Sequence, residues 1–207
     1  LYFMIGQPTE TMEDVEGIVS LAQKIVDLYY SLPTKPKGKG VTVTTSVASF
    51  VPKPFTPFQY EPQDTREMLH EKQHRMLDCR RTKKITIKYH DVDTSFLEAI
   101  LARGDRRVGD VIERAYLAGS YLDSWEENFS IDRWLDCFEK EGLDPAFYAN
   151  RKREYDEVMP WSHLDYGISD AFLIAENKRA REAVTTPECR SRCSGCGANR
   201  WKGGICR

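Results

Sequence analysis

The last nineteen residues hold four of the six cysteines of this chain: Cys189, Cys193, Cys196 and Cys206. Four thiolates in so short a span can close a tetrahedron around zinc or hold an iron–sulfur cluster. Gly195, Gly197, Gly203 and Gly204 permit the tight turns that such knuckles need. The spacing therefore predicts a metal site at these four cysteines, with zinc and iron–sulfur both open. Crowding at one end fits a metal site better than a disulfide framework, and a reducing cytoplasm fits that chemistry.

Two further stretches could carry chemistry. His70-Glu71-Lys72-Gln73-His74 matches H-E-x-x-H, in which two imidazoles one helical turn apart hold zinc and the glutamate acts as base. Glu67, Glu71, Lys72 and Arg75 crowd that helix with charge, so an exposed polar face is the expected reading; only Glu98 stands as a conceivable third ligand. Arg103-Gly104-Asp105, followed by Arg106 and Arg107, joins two predicted helices. It could clasp a phosphate or carboxylate through bidentate arginines, but a structural lock through Asp105 is favoured.

The elements that must position these groups are legible in outline. Leu1 to Ile5 is a short apolar strand closed by a Gly6-Gln7-Pro8 turn. A helix from about Thr11 to Tyr30 opens on the capping pair Thr11 and Asp14 and carries Val15, Ile18, Val19, Ala22, Ile25, Val26 and Tyr29 on one stripe. After an exposed Lys/Pro/Gly loop, Val41, Val43, Thr45 and Val47 alternate as a buried strand. Pro52, Pro54 and Pro57 then forbid a ladder, leaving a stiff segment that displays Phe50, Phe55, Phe58 and Tyr60. Strand, helix, strand is a βα unit feeding a parallel sheet, whose ligands gather at the C-terminal strand ends.

Beyond the prolines the pattern turns helical, over Asp64 to Arg81, Ser95 to Ala102 (Ser95 and Glu98 as its capping box), Val108 to Ala118, Ile131 to Glu141 and Ser169 to Ala183. A half-exposed strand over Ile85 to Tyr89 interrupts it, and Gly119 and Gly142 are expected C-caps. Aromatics between Trp125 and Trp161 read as core. The net charge of −2 gives no global argument for nucleic acid. Charged residues make up 30% and mean hydropathy is −0.55, and no apolar run reaches membrane-spanning length. The chain starts within an apolar strand, without an initiator Met or signal peptide, and reads as a fragment.

Three strings, LYFMIGQPTET, SVASFVPKPFTPFQY and MPWSHLDYGIS, together with RGDRR, resemble the C-terminal third of a radical SAM enzyme, of a group whose members often carry an upstream cobalamin-binding-like domain. The resemblance covers nearly the whole chain. It implies the last βα units of a partial (β/α)6 barrel over residues 1–62, a mainly helical extension over 63–184 and a cysteine-rich tail over 185–207. In that family a reduced 4Fe-4S cluster cleaves S-adenosylmethionine and the 5′-deoxyadenosyl radical abstracts hydrogen from substrate, with electrons from a reductant such as flavodoxin or ferredoxin. The resemblance places Met4 and Gly6 beside the adenine of S-adenosylmethionine, with Ser49, Val51 and Pro52 on its other side. Tyr2 and Gln7 depart from the family pattern at the ribose contact and between the glycine and proline.

The tail spacing Cx3Cx2C equals that of the catalytic cluster, but only eleven residues follow Cys196, too few for the βα units that must follow a cluster loop. The resemblance thus implies catalytic cysteines upstream of this chain, an auxiliary cluster or zinc in the tail, and no cleavage by this chain alone. The rival expectation is a non-enzymatic zinc-knuckle module that contacts RNA or a protein partner. The substrate and outcome of the reaction are not encoded in these residues.

Overall fold

The computed structural model describes residues 1–36 and 38–200, and the chain divides into two compact units. The first unit comprises residues 1–51 and 63–96; the second comprises 52–62 and 97 onward.

The first unit is α/β. Strands β1 (Tyr2–Ile5), β2 (Val43–Ser49) and β3 (Ile85–Tyr89) form a parallel sheet in the order β1-β2-β3. Phe3 lies opposite Val47 and Ile5 opposite Ser49, while Val43 lies opposite Ile85. The first crossover is α1 (Met12–Ser31), whose capping box forms as its sequence requires: Asp14 N donates to Thr11 Oγ1, and Thr11 N donates to Asp14 Oδ2 at 2.8 Å. Those bonds satisfy donors that the first helical turn leaves open, and hold Asp14 below the usual carboxylate range. The second crossover contains α2 (Arg66–Cys79), capped by Thr65. Val15, Ile18 and Val19 of α1 and Leu69 and Met76 of α2 pack with Ile5 and Val47 into one core.

That core covers one face of the sheet. Alternation turns the other residues outward: Tyr2 is 91% exposed, Met4 43%, and Thr44 and Lys88 are exposed as well. Among the described residues the sheet is open, with three strands, so the α/β class holds and no closed barrel is present.

The second unit is helical. The boundary falls inside α3 (Val92–Arg103), followed by α4 (Val108–Leu117), α5 (Ile131–Lys140), α6 (Pro145–Ala149) and α7 (Asp170–Arg181). Gly119 and Gly142 follow α4 and α5 at φ +104° and +65°, the left-handed conformation that glycine tolerates best. The expected capping box at Ser95 is not formed. Asp91 takes that role by accepting from Thr94 N at 2.8 Å, and Ser95 lies inside the helix with its hydroxyl donating to Asp91 O. An aspartate four residues upstream offered the better acceptor, so the helix starts earlier. Helix α6 was not expected from periodicity, because its five residues span little more than one turn.

Candidate functional site

At the strand ends, Met4 lies opposite Ala48 and Ile5 opposite Ser49, Gly6 follows β1, and Phe50 N donates to Ile5 O at 2.8 Å. The Met4 side chain lies on the uncovered face. Ser49 lies on the helix-covered face, where its Oγ is buried without a hydrogen-bond partner. Val51 is half-buried; Pro52 is buried and opens the part of the proline-rich segment that belongs to the second unit. Gly6 adopts φ +83°, and a Cβ there would stand 3.0 Å from Leu69 Cδ2 and 3.3 Å from Asp64 Oδ2. Only glycine turns the chain in that space.

Behind Gly6 lies a buried charge cluster that the sequence did not announce. Lys72 Nζ donates to Glu10 Oε2 and to Asp64 Oδ2, both at 2.7 Å, and Glu10 Oε2 also accepts from Gly6 N at 2.8 Å. Lys72 is 7% exposed. Burial lowers its pKa, but the hydrogen bonds to Asp64 and Glu10 outweigh burial and raise it. Glu10 therefore latches the turn after β1; the N-terminus of α1 is served by Thr11 and Asp14 instead.

The same helix carries the H-E-x-x-H pentapeptide. His70, Glu71 and His74 are exposed, with the two imidazole centroids 6.5 Å apart. Glu98, the conceivable third ligand, forms an ion pair with Lys53. The expected polar face is present on this side, but Lys72 and Gln73 between the histidines turn inward.

In the second unit, the strings PKPFTPFQY and MPWSHLDYGIS meet around a cavity of about 350 Å³. Gln59 joins them: its Oε1 accepts from Phe55 N and from Trp161 Nε1, both at 2.9 Å. Tyr60, Met159 and Trp161 line it and pack with Leu173 into one apolar cluster. The Tyr60 hydroxyl has its pKa raised, by burial first and by the Asp170 charge second. Phe55 is held at φ +59°, an unfavourable conformation for a bulky residue, and its ring packs on Tyr166 with centroids 4.2 Å apart.

The tail reaches this cavity. Ser169 N donates to Cys196 O at 2.9 Å, and Arg200 lines the opening with its guanidinium 3.6 Å from Asp165. Cys189 and Cys193 are exposed, Cys196 is half-buried, and all three are free thiols. Cys206 lies outside the described residues. Among the described residues no three His, Cys, Asp or Glu side chains stand together in a metal-binding group.

Arg103-Gly104-Asp105 proves structural, though through its arginine. Arg103 is fully buried and donates from Nη1 to Ala149 O at 2.7 Å and from Nη2 to Arg151 O at 2.9 Å. A Cβ on Gly104 would lie 2.9 Å from Val108 Cγ2. Asp105 pairs with Arg107 two residues on, which draws its carboxyl below the usual range.

No family model matches the chain, and no solved structure matches it. The chain is 28% identical over 144 residues to an uncharacterized protein of Methanocaldococcus jannaschii. The match covers 69% of this chain and 29% of that relative, so the chain spans under a third of its length. No helix among the described residues is long and apolar enough to cross a membrane.

Proposed function

We propose that this chain is the C-terminal part of a radical SAM enzyme, in which β1 and β2 are the last two strands of the partial barrel. The observation that carries the reading is the one-sided sheet. Parallel sheets are as a rule covered on both faces, yet Met4 and the strongly exposed Tyr2 project from a face that neither α1 nor α2 of the first unit covers. A barrel lumen would occupy that face, and the edge of β1 would pair with a preceding strand.

The strand ends suit an adenine in part. Met4 offers a side chain on the lumen side. Ser49 can contribute backbone alone, because its hydroxyl is turned into the helix-covered core. When bound to the upstream cluster, S-adenosylmethionine would supply the organic radical. The residues of this chain would hold the adenine side and close the barrel.

The complete gene product, reconstituted anaerobically with iron and sulfide and reduced with dithionite, is expected to release 5′-deoxyadenosine from S-adenosylmethionine. A coding sequence lacking a Cx3Cx2C loop ahead of Leu1, or a reconstituted product that releases none, would refute the reading.

The tail is proposed as a separate metal site, with Cys189, Cys193, Cys196 and Cys206 as ligands. Elemental analysis of the purified chain is expected to find one zinc or an iron–sulfur cluster, and Cys193→Ser and Cys196→Ser should each abolish it. Metal retained at full occupancy in both variants would sink the site. Iron with visible sulfur-to-iron absorption would identify an auxiliary cluster.

A further inference from the structure

The cavity of the second unit is shaped by aromatic rings and by negative charge. Phe55, Tyr60, Tyr155 and Trp161 contribute rings to it. Of its three carboxylates, Glu157 is already held by Arg151 through two hydrogen bonds of 2.7 Å. Asp165, whose Oδ1 accepts from Gly167 N at 2.7 Å, and Asp170 also line it and are exposed. Carboxylates beside aromatic faces attract cations, since the ring quadrupole and the charge act in the same sense. Two of these rings already draw internal cations: the Arg153 guanidinium lies 5.2 Å from the Trp161 centroid, and Lys178 Nζ lies 5.3 Å from that of Tyr155.

A third internal cation sits at the opening. Arg200 arrives on the tail, which is fastened by the bond from Ser169 N to Cys196 O. Gly197 passes so close that a Cβ would lie 2.9 Å from Gly167 O. The Arg200 side chain is 58% exposed; among the described residues it donates from Nε to Gly197 O at 3.3 Å, and its guanidinium stands 3.6 Å from Asp165 Oδ1, beyond hydrogen-bond length. Phe55 is held in the cavity wall by the bond from its N to Gln59 Oε1 at 2.9 Å.

We propose that this cavity binds an organic cation, a guanidinium or ammonium group on a short carbon chain, and that Arg200 is the internal cation the ligand displaces. The proposal stands apart from the radical reading, because every residue it uses lies in the second unit and its test needs no cofactor.

The test is a titration of the full chain with butylguanidinium, followed through the Trp161 indole N–H resonance, whose hydrogen bond to Gln59 lies in the cavity wall. Saturable shifts are expected, with butylammonium as a second probe that ranks the two head groups and butyramide as the neutral control. The double variant D165N/D170N, altered at exposed positions, should bind about tenfold more weakly or worse, and R200A about threefold more tightly. Equal binding of butyramide, or unchanged affinity in D165N/D170N, would overturn the site. Unchanged affinity in R200A would overturn the displacement.

Discussion

Replacing Lys72 by methionine is expected to lower the unfolding free energy by about 3–5 kcal/mol, the range seen when one partner is removed from a buried ion pair. The reason is the geometry around it. Glu10 and Asp64 each place a carboxylate oxygen 2.7 Å from Nζ, and the Glu10 side chain is 9% exposed. Without the ammonium, two carboxylates remain in a space poor in water, and the turn at Gly6 loses a properly charged latch. Urea unfolding at pH 7 measures the effect, and a loss under about 1 kcal/mol would show the cluster to be solvated. The triple variant with Glu10→Gln and Asp64→Asn should recover most of the loss, since neutral amides leave no unpaired charge. The pH dependence follows from the raised pKa of Lys72. Its contribution is complete below the ordinary value of 10.5 and disappears as pH climbs through the higher folded-state value.

Why this cluster escaped the sequence is instructive. Lys72 stands in a helix whose other charges face solvent, and composition cannot tell which side of a polar helix turns inward. The partners lie 62 and 8 residues away, and only the return of α2 over the end of β1 brings them together. Local signals fared better. The Thr11 and Asp14 pair, the apolar stripe of α1, and Gly119 and Gly142 each act within one helical turn, so their residue types suffice. Ser95 shows the limit even there: two hydroxyl or carboxyl residues competed for one cap, and Asp91 won.

The cavity shows the same division. Its parts were visible as strings, the aromatic segment after β2 and the MPWSHLDYGIS stretch, but their meeting was not. Gln59 is the residue that joins them, and a lone glutamine in a proline-rich segment carries no pattern. Arg200 likewise drew no attention beside four cysteines. A signal did exist in Phe55, since three prolines within six residues leave little room for an ordinary turn; its positive φ is the outcome.

Arg103 carries the second large effect. Arg103→Met is expected to cost about 2–5 kcal/mol, because it strips donors from the buried carbonyl of Ala149 and the part-buried carbonyl of Arg151, at about 1–3 kcal/mol for a fully buried group and less for the second. Burial, and then the charges of Arg153 and Arg151, push the pKa of this guanidinium down to about 10, so it is still charged at neutral pH. Among the described residues no carboxylate bonds it directly; main-chain oxygens hold it in place. Arg153 repeats the arrangement in reverse, donating from Nη2 to Arg103 O at 2.6 Å. Two like charges thus cross-link α3 to the segment after α6 through carbonyls, which a fork of donors can do and a single ammonium cannot. Arg103→Lys should accordingly lose at least half as much stability as Arg103→Met, while Arg107→Ala, 58% exposed, ion-paired with Asp105 two residues away and 5.9 Å from the Tyr148 ring centroid, should change it by under about 1 kcal/mol. Thermal unfolding of the three variants ranks them. If Arg103→Lys matched the parent, one bond would be holding the segment and the fork would be incidental. If Arg107→Ala fell furthest, the lock would run through Asp105 after all.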